Sequence, residues 1–518
     1  MKKLRFAAAI FGALVLFYVV FAIGTSSPMG HDEDQFVSPG IVTWKTGALP
    51  WKDYPLFHTP YLVMLNGAAA MVGDHQFLVL RCLGAVAAWL NMLLVGWLVW
   101  RLTDRLSPWT RLALVSVLLT VPLFSVLYHE SIFLVWNHQA PTLLATMAVA
   151  ACVLAKGSSR TGLWLLGAGI CIGLATGMRL TFLLFFAPLG LAALFLSADS
   201  WRVRMLRGGW FGLGAALALL PMAWMASQNV EAFGFCNFRY PKLSLMWRKY
   251  SFWKEESVKH VDAERGYFNA KPGDFRGRSL GRKIRLLYGE VWEDNKALVT
   301  LLLLGVLAAA VAAYKNPVLR WPVALLGAAF VFSAWGALAP SRVNLQYWYT
   351  PLIFALAMTG IGLAYLRTAG GILLGMALLF SLPQWELLRC ATVVGGRLWS
   401  PNILRGQLAE LDKALPQGRI LTLLPWRVQM LGREIYPEFA LGEFAWRSAH
   451  LLPRKDRERF RLVSPFDLDA LLAANPPDGI LLDTEEKELN GPIEEWAKAK
   501  GFGKQPVSDS GDLWLPPR

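Results

Sequence analysis

Residues 6–23 read FAAAIFGALVLFYVVFAI, and residues 30–36, a few positions on, read GHDEDQF. The first stretch is an unbroken uncharged run, long enough as a helix to cross the hydrocarbon of a bilayer. The second sets three consecutive acids, Asp32, Glu33 and Asp34, directly beyond it. The basic start Met1-Lys2-Lys3-Leu4-Arg5 is shared by secretory leaders, but Ser26-Ser27-Pro28 is a poor small-x-small cleavage site and many further apolar runs follow. The run is therefore expected to be a retained first helix that begins in the cytoplasm.

Outward from this stretch the pattern repeats. Further apolar runs lie near 77–100, 110–128, 139–155, 161–178, 180–197, 209–227, 297–314, 318–338, 348–366 and 370–390. The expectation is a polytopic α-helical membrane protein with about eleven transmembrane helices. The composition agrees. Of the 518 residues, 55% are hydrophobic and 17% are charged, against roughly 25% charged in soluble chains. This excludes a soluble enzyme, a disordered chain and a disulfide scaffold. The five cysteines form no metal-ligand spacing and mostly fall in apolar runs.

The charge is uneven. From Ser400 onward there are 16 basic and 18 acidic residues, leaving 35 basic and 18 acidic before it. The basic excess belongs to the membrane part, which suggests phosphate-bearing lipids as partners and no nucleic acid. With the N-terminus inside, the short cytoplasmic loops carry Arg101, Arg105 and Arg111; Lys156 and Arg160; Arg202, Arg204 and Arg207; Lys315 and Arg320; and Arg367. That is the positive-inside bias at each such loop. An odd number of spans then puts the C-terminal tail on the outer side. For a bacterial inner membrane, that side is the periplasm.

Three outer segments are too long to be turns. Segment 27–76 contains an apolar stretch, Pro60 to Val72, too short to cross and suited to a helix in the interface. Segment 228–296 is aromatic and basic. The third is the tail, 399–518, of soluble composition. Its residues 403–415, 466–473 and 493–500 have helical periodicity, and 419–424 and 479–482 read as short buried strands. A small α/β domain is expected there, behind a membrane domain over 1–398.

The acidic motif is followed by Gly47-Ala48-Leu49-Pro50-Trp51-Lys52-Asp53-Tyr54 and Phe57-His58-Thr59-Pro60-Tyr61. Acids after the first helix, then Gly-x-x-Pro-aromatic-x-Asp-Tyr, then a Pro opening an interfacial helix, resemble the GT-C-type membrane glycosyltransferases. The nearer likeness is to the branch that uses polyprenyl-phosphate sugars, the protein O-mannosyltransferases and lipid A aminoarabinose transferases. Two later stretches, Gly173 to Thr181 and Arg342 to Pro351, are similar to places where relatives carry a cation on the outer side, and a basic loop with a Tyr before a late helix. The likeness covers residues 1–390 in organisation and a few short motifs in residues.

The resemblance implies an inverting glycosyltransferase that moves a sugar from a polyprenyl-phosphate donor to a lipid, glycan or protein acceptor. In such a reaction a carboxylate takes the acceptor proton and a cation neutralises the departing phosphate. By motif position Asp32 is the expected base, with Glu33 beside it and Asp53 as the carboxylate of the second motif. Asp34, His58, His138, Arg179, Arg342 and Tyr347 are the expected substrate contacts, the two arginines by the phosphate-matching fork of a guanidinium. His31, His58, His75, His129 and His138 all fall in expected outer segments, so a divalent metal is conceivable, although no ligand spacing calls for one. Two other classes fit the composition: a transporter or flippase of lipid-linked sugars, and a non-catalytic envelope scaffold. The transporter expectation is weakened by spans with almost no internal charge and no inverted symmetry.

Overall fold

The computed structural model describes residues 2–135, 137–197, 200–244, 280–340, 344–482, 487–507 and 511–517. The chain is a mostly helical, multi-pass membrane protein with a small sheet in its C-terminal region. Chain contacts divide it into two compact units. The first comprises Met1–Ser27, Arg81–Leu220 and Arg278–Gly396; the second comprises Pro28–Leu80, Pro221–Gly277 and Arg397–Arg518.

Among the described residues, eight helices have the length and apolarity of a membrane span. A bent pair, Pro108–Phe124 and Val126–Ile132, broken by 79°, makes a ninth only if it is counted as one span. The two remaining runs of the expected eleven are the shorter apolar helices Gln139–Ala155 and Leu180–Leu194. The apolar runs thus locate helices throughout, but two of those helices fall short of the length that a full crossing asks for.

Small residues set the packing of the first unit. A Cβ added at Gly169 would lie 2.0 Å from the Phe211 carbonyl oxygen, and one at Gly214 would lie 2.2 Å from the Leu166 carbonyl oxygen. One turn on, a Cβ at Gly173 would meet Ala218. Helices Thr161–Met178 and Trp201–Ser227 therefore cross backbone to backbone, as small-x-x-x-small faces do in lipid. Gly305 and Gly362 make the same kind of contact between Lys296–Lys315 and Tyr349–Leu366. The second of these is the core helix of the unit, with 83% of its span buried.

Arg81 brings a charge inside a span of the membrane unit. Arg81 is buried near the start of the second span. Its guanidinium donates to the carbonyls of Gly24 (2.9 Å) and Phe133. It satisfies carbonyls beside the end of the first helix and in the turn after Ile132, so hydrogen bonds meet the buried charge.

The second unit is built on a five-stranded sheet of order β2-β1-β3-β5-β4. Its strands are β1 (Arg419–Thr422), β2 (Glu434–Ile435), β3 (Gly479–Leu482), β4 (Gly503–Pro506) and β5 (Asp512–Leu515). β2, β1 and β3 run parallel, and β5 and β4 add antiparallel strands at the β3 edge. Helices Ser400–Ala414, Leu468–Ala474 and Gly491–Ala499 form where the helical periodicity lies. The tail is braced by Arg457, which is buried and whose Nε and Nη2 donate to Asp467 at 2.7 and 2.9 Å.

Two helices of the 28–80 segment belong to this second unit, Asp34–Thr46 and Pro60–Ala70. They cross at a pair of glycines. A Cβ on Gly40 would lie 2.0 Å from the Val63 carbonyl oxygen, and one on Gly67 would lie 2.3 Å from the Gly40 carbonyl carbon. Within the expected outer segment 27–76, a helix of its own begins at Asp34, the last acid of the motif.

Candidate functional site

The acids of residues 32–34 sit in three different surroundings. Residues 31–33 form a single tight turn, and the next helix begins at Asp34. Asp32 is partly exposed, and its Oδ1 accepts from Gln35 Nε2 at 3.5 Å. Glu33 is buried, and its Oε2 accepts the Gly30 N–H at 2.9 Å, closing the turn. Asp34 is also buried, and its Oδ1 accepts the backbone N–H of Trp426 at 2.9 Å. That bond ties the 28–80 segment to the tail, 392 positions away. Burial pushes the Asp34 carboxyl up to about 7, against the opposing pull of the Trp426 N–H and the Arg427 guanidinium.

The second motif is a folded brace. Asp53 Oδ2 accepts the Leu49 N–H at 2.8 Å, and the Asp53 N–H donates to the Leu49 carbonyl at 2.9 Å. Trp51 is fully buried at φ 64°, with its indole N–H on the Leu56 carbonyl at 2.8 Å. The Tyr54 hydroxyl lies 2.6 Å from that of Thr43. His58 shares a hydrogen bond of 2.8 Å with Gln35 Oε1, and its ring rests 4.7 Å from that of Phe36. Since Gln35 also reaches Asp32, His58 is joined to the acidic turn through one amide.

The tail adds two residues that no sequence signal marked. Helix Glu443–Ala449 carries Glu443, buried, whose Oε1 lies 3.8 Å from His31 Nε2 and 3.5 Å from Arg447 Nη1. Both sit in an ordinary amphipathic stretch, and only the folded chain brings them to the acidic turn.

A separate group forms in the membrane unit around Arg179. The residue breaks the chain between Thr161–Met178 and the tight helix that starts at Leu180, with extended backbone at φ −154°. Its Nη1 donates to Asn137 Oδ1 at 3.2 Å and to His138 Nδ1. The guanidinium carbon stands 4.8 Å from the centre of the Tyr347 ring. The His138 and Tyr347 rings meet edge to face at 5.5 Å. Among the described residues, Arg179 has no carboxylate partner. It is a cation held by neutral groups, beside a small cleft whose walls include Arg179, Thr181, Phe182, Ser333, Tyr347 and Thr350. Arg342 lies outside the described residues. Of the expected substrate contacts, the structure thus brings Arg179, His138 and Tyr347 together. Among the described residues, no group of three or more His, Cys, Asp and Glu side chains converges as metal ligands would.

No family model and no curated protein matches the chain in sequence. Solved structures do match in fold. ArnT from Cupriavidus metallidurans bound to undecaprenyl phosphate aligns with a TM-score of 0.55 at 12% identity, over 99% of this chain and 97% of ArnT. The Archaeoglobus fulgidus oligosaccharyltransferase AglB, in complex with an inhibitory peptide and a dolichol-phosphate, aligns with a TM-score of 0.54 at 12% identity, over 100% of this chain and 74% of AglB. The apo form of an A. fulgidus oligosaccharyltransferase gives a TM-score of 0.45, and this chain spans 65% of its length. The fold of this chain is that of ArnT and AglB, in keeping with the resemblance that the motifs carry.

The raised carboxyl of Asp34 has a consequence for stability. Between the ordinary Asp value and about 7, the folded state holds a proton that the unfolded chain has released. Stability is then fully present below about pH 4, falls as pH climbs to about 7, and levels off above it, by on the order of 4 kcal/mol. Asp34→Asn keeps an oxygen for the Trp426 N–H and removes this titration. Thermal unfolding followed by tryptophan fluorescence at pH 5 and pH 8 is expected to show a clear loss of stability at pH 8 in the parent and a smaller loss in the variant. An unchanged difference between the two pH values would remove Asp34 as its source.

Proposed function

We propose that the chain is an inverting glycosyltransferase, transferring a sugar from a polyprenyl phosphate to a hydroxyl acceptor at the outer face of the membrane. The observation that carries this reading is Arg179: a guanidinium without a carboxylate partner among the described residues, seated by a cleft in a GT-C fold. A cation braced only by neutral groups is a seat for an anion, and the planar fork of arginine suits a phosphate. The neighbours agree. ArnT is described bound to undecaprenyl phosphate and AglB in complex with a dolichol-phosphate.

In this reading Arg179, steadied by Asn137, His138 and Tyr347, binds the donor phosphate. Asp32 is the general base, because it is the partly exposed acid of its turn while Glu33 and Asp34 are buried in hydrogen bonds to the backbone. Asp32 removes the proton of the acceptor hydroxyl as the oxygen attacks the anomeric carbon. The bond from that carbon to the phosphate oxygen breaks, and its electron pair leaves with the polyprenyl phosphate. The configuration at the carbon inverts. Glu33 fixes the turn that presents Asp32. Asp53 and His58 hold the second motif and Gln35 in register, and Arg342 is a second candidate for the phosphate. No step calls on a metal.

The test is a transfer assay with the purified chain in lipid vesicles, a polyprenyl phosphate carrying a labelled sugar, and an envelope extract as acceptor. Time-dependent release of free polyprenyl phosphate with label in the acceptor fraction supports the reading. Label moved across the vesicle with the donor intact would point to a flippase, and no change would leave a scaffold. Asp32→Asn is expected to lose roughly 10²–10⁴-fold in turnover, and Glu33→Gln less, since its amide oxygen still accepts from Gly30. Parent-like turnover in a folded Asp32→Asn protein would reject Asp32 as the base.

The orientation is part of the same proposal. Ser200 and Lys455 are exposed. In a background without the natural cysteines, cysteines at these two positions are expected to label with an impermeant reagent from opposite sides of the membrane. Labelling from one side would overturn the assigned topology.

A further inference from the structure

The acidic turn does not hold its shape alone. His31 Nε2 stands 3.5 Å from Asp32 Oδ1 and 3.8 Å from Glu443 Oε1, so one imidazole edge lies between two carboxylates. The face of the same ring stacks on Phe444, with centroids 5.9 Å apart and planes 12° from parallel. Glu443 and Phe444 are consecutive residues at the start of helix Glu443–Ala449, so one short stretch of the tail grips His31 by edge and by face. Glu443 is itself buried and is met one turn on by Arg447 Nη1 at 3.5 Å. The Arg447 guanidinium in turn lies 4.4 Å over the Phe444 ring.

Polar contacts therefore run in a chain: Arg447, Glu443, His31, Asp32. At the buried end of this chain the Glu443 carboxylate, taken out of water, is compensated by Arg447. The other end is the partly exposed Asp32, whose Oδ1 takes contacts from both His31 and Gln35. A general base must point at the proton it removes, and a misplacement of about 1 Å costs on the order of a hundredfold.

We propose that Glu443 of the tail is a positioning residue for the transfer reaction, acting through His31 to fix the carboxylate of Asp32. This rests on the assignment of Asp32 as general base, and it gives the C-terminal tail a part in the reaction.

The experiment is a double-mutant cycle on the full-length protein in lipid, with Glu443→Gln, His31→Phe and the two combined. Phenylalanine keeps the stack on Phe444 and loses both charge contacts. Each single change is expected to lower kcat about tenfold or more while KM for the donor stays unchanged. The combined variant is expected to be no slower than His31→Phe alone, because residues that act through one another do not add. Parent-like kcat in Glu443→Gln, or a combined loss equal to the product of the single losses, would overturn the proposal. A purely structural Glu443 would lower the unfolding temperature and the active fraction without producing this non-additivity. If Glu443→Gln alone leaves Arg447 unmatched and unstable, Glu443→Gln with Arg447→Gln removes both charges and takes its place in the cycle. Asp32→Asn runs alongside. If it turns over normally the base assignment fails, and if it is inactive while Glu443→Gln is normal, only the positioning role fails.

Discussion

An ionised group taken out of water costs several kcal/mol unless an opposite charge or a set of hydrogen bonds meets it, and this chain is arranged around that cost. Its spans carry almost no charge, and the one arginine buried near the start of a span, Arg81, is answered by the carbonyls of Gly24 and Phe133. In the second unit the same demand is met in several places. Asp34 is buried on the Trp426 N–H, Glu443 on Arg447, and Arg457 on Asp467. Arg179 departs from the pattern. Its partners are an amide, an imidazole and a phenol ring, and what they leave unmet is the charge.

Where the sequence speaks through period and length, it speaks clearly. The eleven apolar runs, and in the tail the strand at Gly479–Leu482 and three helices, stand where the pattern puts them. β2 is two residues long, too short for any alternation to register. β4 ends on Pro506, β5 begins just after Gly511 at φ 106°, and neither strand has the unbroken apolar run of a central strand. The grouping of residues 28–80 with the tail was also invisible. It depends on contacts such as Asp34 with Trp426, which no local window contains.

The candidate site divides in the same way. Motif order pointed to Asp32, Arg179 and Tyr347, and the histidines of the expected outer segments pointed to His138. It said nothing of Glu443, whose neighbours are unremarkable and whose contact with His31 spans the length of the chain. It also made no distinction among three adjacent acids, whereas burial and hydrogen bonding do: Asp34 is sealed under the tail, Glu33 closes the turn and Asp32 remains accessible. The backbone matches ArnT and AglB at 12% identity, so the fold they share with this chain persists with few residues in common.

The central claim is that Arg179 receives the phosphate of a lipid-linked donor. The most direct measurement is the affinity of the purified protein for polyprenyl phosphate, compared among the parent, Arg179→Lys and Arg179→Ala at equal lipid content. An ammonium lacks the guanidinium fork, so the account predicts weaker binding in the lysine variant and weaker still in the alanine variant. The loss is expected to be tenfold or more for alanine, in keeping with about 1.5–3 kcal/mol for a hydrogen bond to a charged group. Equal affinity in all three proteins would contradict it.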